Sequence, residues 1–289
     1  MLAFFHPSLL ISSSPMRYMP LNQCIFDAHS HIGIFGSQYL KGRDITIFEG
    51  CEVASVSDQL NHMKSKGITT AVVVPHYTPD LHYPFDVLNP LVLDAAQHDG
   101  ILGGLWVNPM PDCVEQTLHV LKLLDARPHG IVALKLSPTS WQSMYSPNPD
   151  SWSGVFKSCM LQIIEAAQKY DLVLHMHTSD GRASIAKYEK FVEQFGANTK
   201  IQLVHMGANA AGVFWLVPRF GDWVRKGYQV YADTSWCIDF GPDFMVRELN
   251  KSCPQALDRI LFASDHPWGR FEVEVAKVLA INCSEEIKQ

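Results

Sequence analysis

Two histidines two residues apart, His29 and His31, close a short apolar run, Cys24-Ile25-Phe26-Asp27-Ala28-His29-Ser30-His31. Side chains alternate across an extended strand, so residues two apart share a face. If this run is a strand, both imidazoles point the same way from its C-terminal end. Neutral imidazoles converging there suit a zinc-like divalent metal. Thirteen histidines in 289 residues supply roughly 0.6 such pairs by chance. The pair therefore carries weight only if other parts of the chain bring ligands to the same place.

Candidates recur where other apolar runs end. Ile131 to Leu136 carries Lys135, and Leu172 to Met176 leads into His177. Lys200 to Val204 leads into His205, Tyr228 to Ala232 into Asp233, and Arg259 to Ala263 into Ser264-Asp265-His266-Pro267. If those ends meet at one mouth, a His or Asp at so many of them is a site and not a coincidence. His175 and His177 share a face about 6.6 Å apart along a strand. Only the one nearer the C-terminal end reaches a mouth-side site, so His177 is the ligand candidate and His175 a buried interior residue. Lys135 inside an apolar interior needs a partner: a protein carboxylate, a substrate carboxylate, or carboxylation that bridges two metals. Asp27 is a candidate acceptor for orienting a ligand imidazole. Arg43, Arg182 and Arg270 fall in mouth-side loops and could clamp an anion. Trp236 and Trp268 follow the acidic ends closely enough to wall a pocket.

The elements that must position these residues are legible as an alternation. Ile68 to Val74 is a continuous β-branched run of the kind buried on both faces of a parallel sheet. The other runs are followed by stretches of helical spacing, such as Val53 to Lys66 with Gly67 as its stop, and Asn209 to Lys226, which Pro218 is expected to interrupt. Eight such βα units predict a (β/α)8 TIM barrel. No Gly-x-Gly-x-x-Gly turn follows any strand, which argues against a dinucleotide-binding open sheet. Residues 1–22 are expected to form a loose N-terminal arm, with Met16 and Met19 as alternative starts, and 23–289 a single domain. The arm lacks a basic n-region and a clear cleavage site, so it does not read as a signal peptide.

Composition sets limits on partners. Hydrophobic residues make up 47% and charged residues 18%, enough for a large core, and the net charge of −6 argues against nucleic acid or an anionic membrane. Seven scattered cysteines without a Cys-x-x-Cys motif suggest reduced thiols and a cytoplasmic protein. No apolar run reaches the ~18 residues of a membrane span.

Five pieces in order, Phe26-Asp27-Ala28-His29-Ser30-His31, Ala133-Leu134-Lys135-Leu136-Ser137-Pro138, Leu174-His175-Met176-His177-Thr178, Val204-His205-Met206-Gly207 and Leu261-Phe262-Ala263-Ser264-Asp265-His266-Pro267, carry a family likeness. Together they resemble the amidohydrolase superfamily, in the branch that includes aminocarboxymuconate-semialdehyde decarboxylase and resorcylate-type decarboxylases. The resemblance implies one divalent metal, commonly zinc, held by His29, His31, His177 and Asp265. It implies that His205, with Asp265, handles the proton. Ser137 and Ser179 stand where many relatives have His and Gly, and His266 occupies a variable position; these departures bear on the substrate. The implied activity is hydrolysis of a C–N or C–O bond in a small molecule, with Lys135, Arg182 and Trp268 as substrate contacts. The alternative is metal-dependent decarboxylation of a small unsaturated or aromatic acid. A metal-free lactonase and a non-catalytic ligand-binding barrel are further alternatives. Homo-oligomerisation is left open by the sequence.

Overall fold

The computed structural model describes residues 24–33, 55–76, 82 and 84–284. The expected N-terminal arm, residues 1–22, lies outside the described residues, as does Arg43. Eight strands form one sheet in chain order: β1 (Ile25–Ile32), β2 (Ile68–Pro75), β3 (Ile101–Trp106), β4 (Ile131–Leu136), β5 (Val173–His177), β6 (Lys200–Val204), β7 (Val230–Asp233) and β8 (Ile260–Leu261). Each pairs in parallel with the next. Parallel neighbours require crossovers. These are α1 (Val56–Lys66), α2 (Asn89–Ala95, entered through a π-helical turn at Pro84–Leu88), α3 (Val114–Leu123), α4 (Gly154–Lys169), α5 (Glu189–Phe195), α6 (Ala210–Arg225) and α7 (Gly241–Ser252), with α8 (Phe271–Leu279) after β8. The architecture is the expected (β/α)8 barrel. Among the described residues no helix is long and apolar enough to cross a membrane.

Local chemistry explains the element ends. Ser55 and Asp58 form a reciprocal capping box at the start of α1, and Gly67 ends it at φ 70°, where a side chain would be strained. Pro218 does not interrupt its helix: α6 runs through it as one element. Proline removes one hydrogen bond there, while Val213, Leu216, Val217 and Phe220 on the buried face hold the helix to the barrel.

The ladder of β8 is shorter than its apolar run. Its other neighbour, β1, bulges between Asp27 and Ser30, so regular pairing gives way to single hydrogen bonds. Ala28 N donates to Phe262 O at 2.9 Å, Asp265 N to His29 O at 2.8 Å and His31 N to His266 O at 2.7 Å. These bonds tie β1 to the chain beyond β8.

Two packing features support the mouth. The long segment after β4 folds as short 3-10 turns at Pro138–Ser140 and Pro149–Ser151. It packs onto Phe156 of α4, which is fully buried against Tyr145 (stacked, 4.0 Å between ring centres) and Trp141 (edge-on, 5.1 Å). Arg182 braces this segment by donating to the Trp141 carbonyl and, at 3.1 Å, to the Thr139 carbonyl. On the opposite side, Lys277 and Glu274 of α8 pair at 2.6 Å while almost fully buried. Lys277 also donates to Cys237 O at 3.2 Å, and the Trp236 backbone bonds Glu274. The pair thereby fastens the turn after β7.

Two outcomes follow from this packing. Phe156→Ala should cost about 3–5 kcal/mol in urea unfolding, the range for deleting a buried aromatic ring. A cost under 1 kcal/mol would mean the segment after β4 does not rest on it. Burial raises the Glu274 carboxyl from its ordinary 4.5 to about 7, outweighing the Lys277 ammonium. A carboxyl whose folded value exceeds its unfolded value adds stability at low pH, and that contribution is lost as pH rises. The difference in unfolding free energy between the natural chain and Glu274→Gln should therefore fall between about pH 4.5 and 7 and level off above. A difference that grows over that range would contradict the burial argument.

Candidate metal centre

β1 brings His29 and His31 to one point. Their Nε2 atoms lie 2.9 and 3.0 Å from the same oxygen, Asp265 Oδ1. Asp265 reaches it from the end of β8 through a backbone at φ 53°, a left-handed conformation unusual outside glycine. One atom from each of the three residues falls within 4.8 Å of the others. All three side chains are buried.

The donor and acceptor inventory shows what this cluster lacks. His31 Nδ1 lies 3.1 Å from the Pro75 carbonyl, which can only accept. In the neutral ring the hydrogen therefore sits on Nδ1, and Nε2 presents a lone pair. That lone pair faces a carboxylate oxygen, an arrangement that is repulsive unless a cation or proton lies between. His29 Nε2 meets the same oxygen without the alignment of a hydrogen bond, and its Nδ1 has no partner either. Only a cation, or the carboxyl proton that burial favours on Asp265, can bridge these atoms, and two imidazole nitrogens with one carboxylate oxygen fit a divalent cation.

Burial keeps the imidazoles neutral and thus able to ligate. It is the largest cause in each case, with the Lys135 ammonium adding to it. His31 and His177 fall to about 3, and His29, His175 and His205 are held well below their ordinary value. Burial also drives Lys135 down and Asp265 up, each opposed by the other's charge. Among the described residues Lys135 is the cation inside this cluster, buried and 3.3 Å from His175 Nδ1.

The other expected residues divide. His205 joins the centre: it is buried at the end of β6, its ring 5.5 Å from His29 and 5.0 Å from His177. Its Nδ1 lies 3.1 Å from Ser235 O and 3.0 Å from Ser235 Oγ, which leaves Nε2 as the remaining nitrogen. His177 is half-buried and stands on the His205 side, outside the tight cluster of His29, His31 and Asp265. His175 is fully buried deeper in the barrel, 4.6 Å from the His29 ring, with Nε2 unpartnered. Arg182, expected as a substrate contact, instead spends two of its nitrogens on the carbonyls described above. Trp268 is half-buried just beyond the cis His266–Pro267 bond. Trp236 is 56% exposed and meets His205 edge-on at 5.7 Å.

Asp27 does not touch an imidazole nitrogen. It accepts from Ser264 N at 2.9 Å, from Ser264 Oγ at 2.5 Å and from His29 N at 3.2 Å. It therefore joins the two chain segments that carry the ligands. Ser264, Ser235 and the Lys277–Glu274 pair carried no readable signal. Single serines beside strand ends look like turn residues, and a Glu-x-x-Lys spacing on a helix looks like a surface pair.

No curated protein matches the chain in sequence. A family model described as amidohydrolase matches residues 66–289. Among solved structures, the chain is similar to a probable 2-pyrone-4,6-dicarboxylic acid hydrolase from Acinetobacter baumannii with citric acid bound, at 13% identity and a TM-score of 0.65, covering 92% of this chain and 95% of that one. It is similar to 5-carboxyvanillate decarboxylase from Sphingomonas paucimobilis at 14% identity and a TM-score of 0.63, covering 92% and 95%. It is similar to 5-carboxyvanillate decarboxylase from Novosphingobium aromaticivorans, complexed with manganese and a nitrobenzoic acid, at 14% identity and a TM-score of 0.65, covering 93% of each chain. At these identities the likeness is one of fold. The family match spans most of the chain, and the chain belongs to the amidohydrolase family.

Proposed function

We propose that this amidohydrolase-superfamily enzyme is a metal-dependent hydrolase of a C–N or C–O bond in a small molecule. The metal is a single divalent ion held by His29, His31 and Asp265, with His177 as the fourth ligand. Zinc is the first choice, because imidazole nitrogens with one carboxylate oxygen are its usual donor set. When bound, such an ion polarises a substrate oxygen and makes water a usable nucleophile near neutral pH.

The observation that supports proton transfer at the metal, a step the hydrolase needs and a decarboxylase shares, is the state of His205. With Nδ1 engaged by Ser235, its Nε2 is a lone pair at the centre. A neutral, buried imidazole of this kind is suited to take a proton. His205 accepts the proton of the attacking water at Nε2 and later returns it to the leaving group. Lys135 offers its ammonium to an anionic group of the substrate. Trp268 is a further substrate contact, and Arg182 acts on the site only through the segment it braces. The unpaired thiols of the described cysteines support a reducing compartment such as the cytoplasm.

Decarboxylation is the second reading, and Lys135 favours it. A buried cation beside Asp265 and His175 is placed to receive a carboxylate that is about to leave. Carbon dioxide release and incorporation of labelled water oxygen, measured on a panel of amides, lactones and carboxylic acids, separate the two. Label without carbon dioxide supports the hydrolase; carbon dioxide without label overturns it. In either reaction His205→Asn should retain the metal and lose turnover by ~10²–10⁴-fold. Loss of the metal in that variant would make His205 a ligand.

Elemental analysis of protein purified without added metal should give near one equivalent per chain. His29→Ala, His31→Ala, His177→Ala and Asp265→Ala should each lower it sharply, while His175→Ala should lower stability but leave the folded fraction metalated. Two equivalents would point to a carboxylated Lys135. Retention in His177→Ala with loss in His175→Ala would exchange the roles of the two β5 histidines.

A further inference from the structure

His205 sits in a backbone that would not hold itself. Its φ is 69° and that of the following Met206 is 36°, both in the left-handed region that non-glycine residues avoid. Such a conformation persists only when its surroundings impose it. The group that imposes it here is Asp233, at the end of the neighbouring strand β7. Asp233 Oδ1 accepts from His205 N at 3.1 Å, from Ser235 N at 3.2 Å and from Ser235 Oγ at 2.6 Å. Asp233 Oδ2 accepts from Gln202 Nε2 at 2.8 Å. One buried carboxylate thus holds both the main chain of His205 and the turn whose carbonyl and hydroxyl face the His205 ring.

The direction of each hydrogen bond can be assigned without ambiguity. The two backbone N–H groups can only donate. Gln202 Nε2 also lies 3.3 Å from the Ala28 carbonyl, which fixes the amide nitrogen as the end facing Asp233. All these partners of Asp233 are donors, so Oδ1 and Oδ2 both act as acceptors towards them. The Ser235 hydroxyl must therefore give its hydrogen to Asp233. Its lone pairs, together with the Ser235 carbonyl, are what His205 Nδ1 meets at 3.0 and 3.1 Å. Two acceptors at one ring nitrogen require that nitrogen to carry the hydrogen.

We propose that Asp233, acting through Ser235, is a positioning pair that locks His205 in the Nδ1–H tautomer and so reserves Nε2 for the reacting groups. The inference rests on the reading of His205 as the proton-transfer residue, but it concerns the resting protein and needs no substrate. Neither residue touches the reacting atoms. Ser235 supplies the second acceptor, and Asp233 aims it. A free neutral imidazole prefers the Nε2–H form, which here would direct a donor instead of a lone pair into the centre. The lock reverses that preference.

The test is a two-bond 1H–15N correlation spectrum of the full chain labelled at histidine, recorded metal-free and zinc-loaded. The His205 signals are identified by their loss in His205→Asn. The natural chain should show a single Nδ1–H pattern for His205 in both states. Ser235→Ala and Asp233→Asn should each introduce an Nε2–H population that the natural chain lacks, and Ser235→Thr, which keeps the hydroxyl, should restore the single pattern. Thermal unfolding confirms that each variant is folded; if Asp233→Asn does not fold, the Ser235 pair of variants decides alone. An Nε2–H pattern in the natural chain overturns the proposal, as does an unchanged Nδ1–H pattern in a folded Ser235→Ala. Undiminished turnover in His205→Asn would instead refute the proton-transfer reading while leaving the measured tautomer as it is.

Discussion

The joint between β1 and the chain beyond β8 is the constraint on which the rest depends. A barrel of eight strands must close, and here closure runs through the segment that carries the ligands. Asp265 N on His29 O, His31 N on His266 O, and Asp27 on Ser264 are all bonds of this seam. Closing the barrel and bringing His29, His31 and Asp265 together are therefore one structural event. Among the described residues Asp27 has no cationic partner of its own, and burial pushes its carboxyl up to about 7. That cost is offset by three donors, which is how an acid can be kept in an interior without an ion pair.

Once the seam has gathered the cluster, electrostatics decides what form its members take. Five imidazoles and two carboxylates lie around one lysine, with water excluded from most of them. Protonating any imidazole there would add a second buried cation beside Lys135, so all five stay neutral. Neutral imidazole is the form that ligates a metal and the form that accepts a proton. The same burial that packs the barrel thus sets the chemistry, and Lys135 sharpens the effect.

The order of strands and helices was legible because hydrophobic runs and helical spacing are local signals, and parallel βα units leave few other architectures. The reading of His29, His31, His205 and Asp265 as neighbours followed from the barrel, since C-terminal strand ends share a mouth. What was not legible depended on side-chain direction. Arg182 was read as an anion clamp because it lies in a mouth-side loop, yet its guanidinium turns back to carbonyls of the segment after β4. Pro218 was read as a break, yet the apolar face of α6 outweighs one lost hydrogen bond. Asp27 was read as an acceptor that could orient a ligand imidazole. Its carboxyl accepts from Ser264 instead.

The division of labour among polar atoms in the barrel mouth can be read from which of them are satisfied. Asp27, Asp233 and Gln202 have hydrogen bonds on their side-chain oxygens or nitrogen to protein groups, and those groups lie on neighbouring strand ends. They hold geometry. Among the described residues His29 has none on either ring nitrogen, and His31 Nε2, left with a lone pair by its Nδ1 hydrogen, meets only Asp265 Oδ1, at 3.0 Å. Unsatisfied polar atoms in an interior cost about 1–3 kcal/mol each, and a fold that gathers them at one point must recover that free energy from something that binds there. Satisfied groups surround the unsatisfied ones on β1, β6, β7 and β8, so the centre cannot relax by letting its imidazoles turn to other partners. The strained backbones at His205 and Asp265 belong to the same arrangement. Each is held by a backbone hydrogen bond to a neighbouring strand end, with Asp265 beside the two β1 imidazoles and the His205 ring 5.5 Å from that of His29.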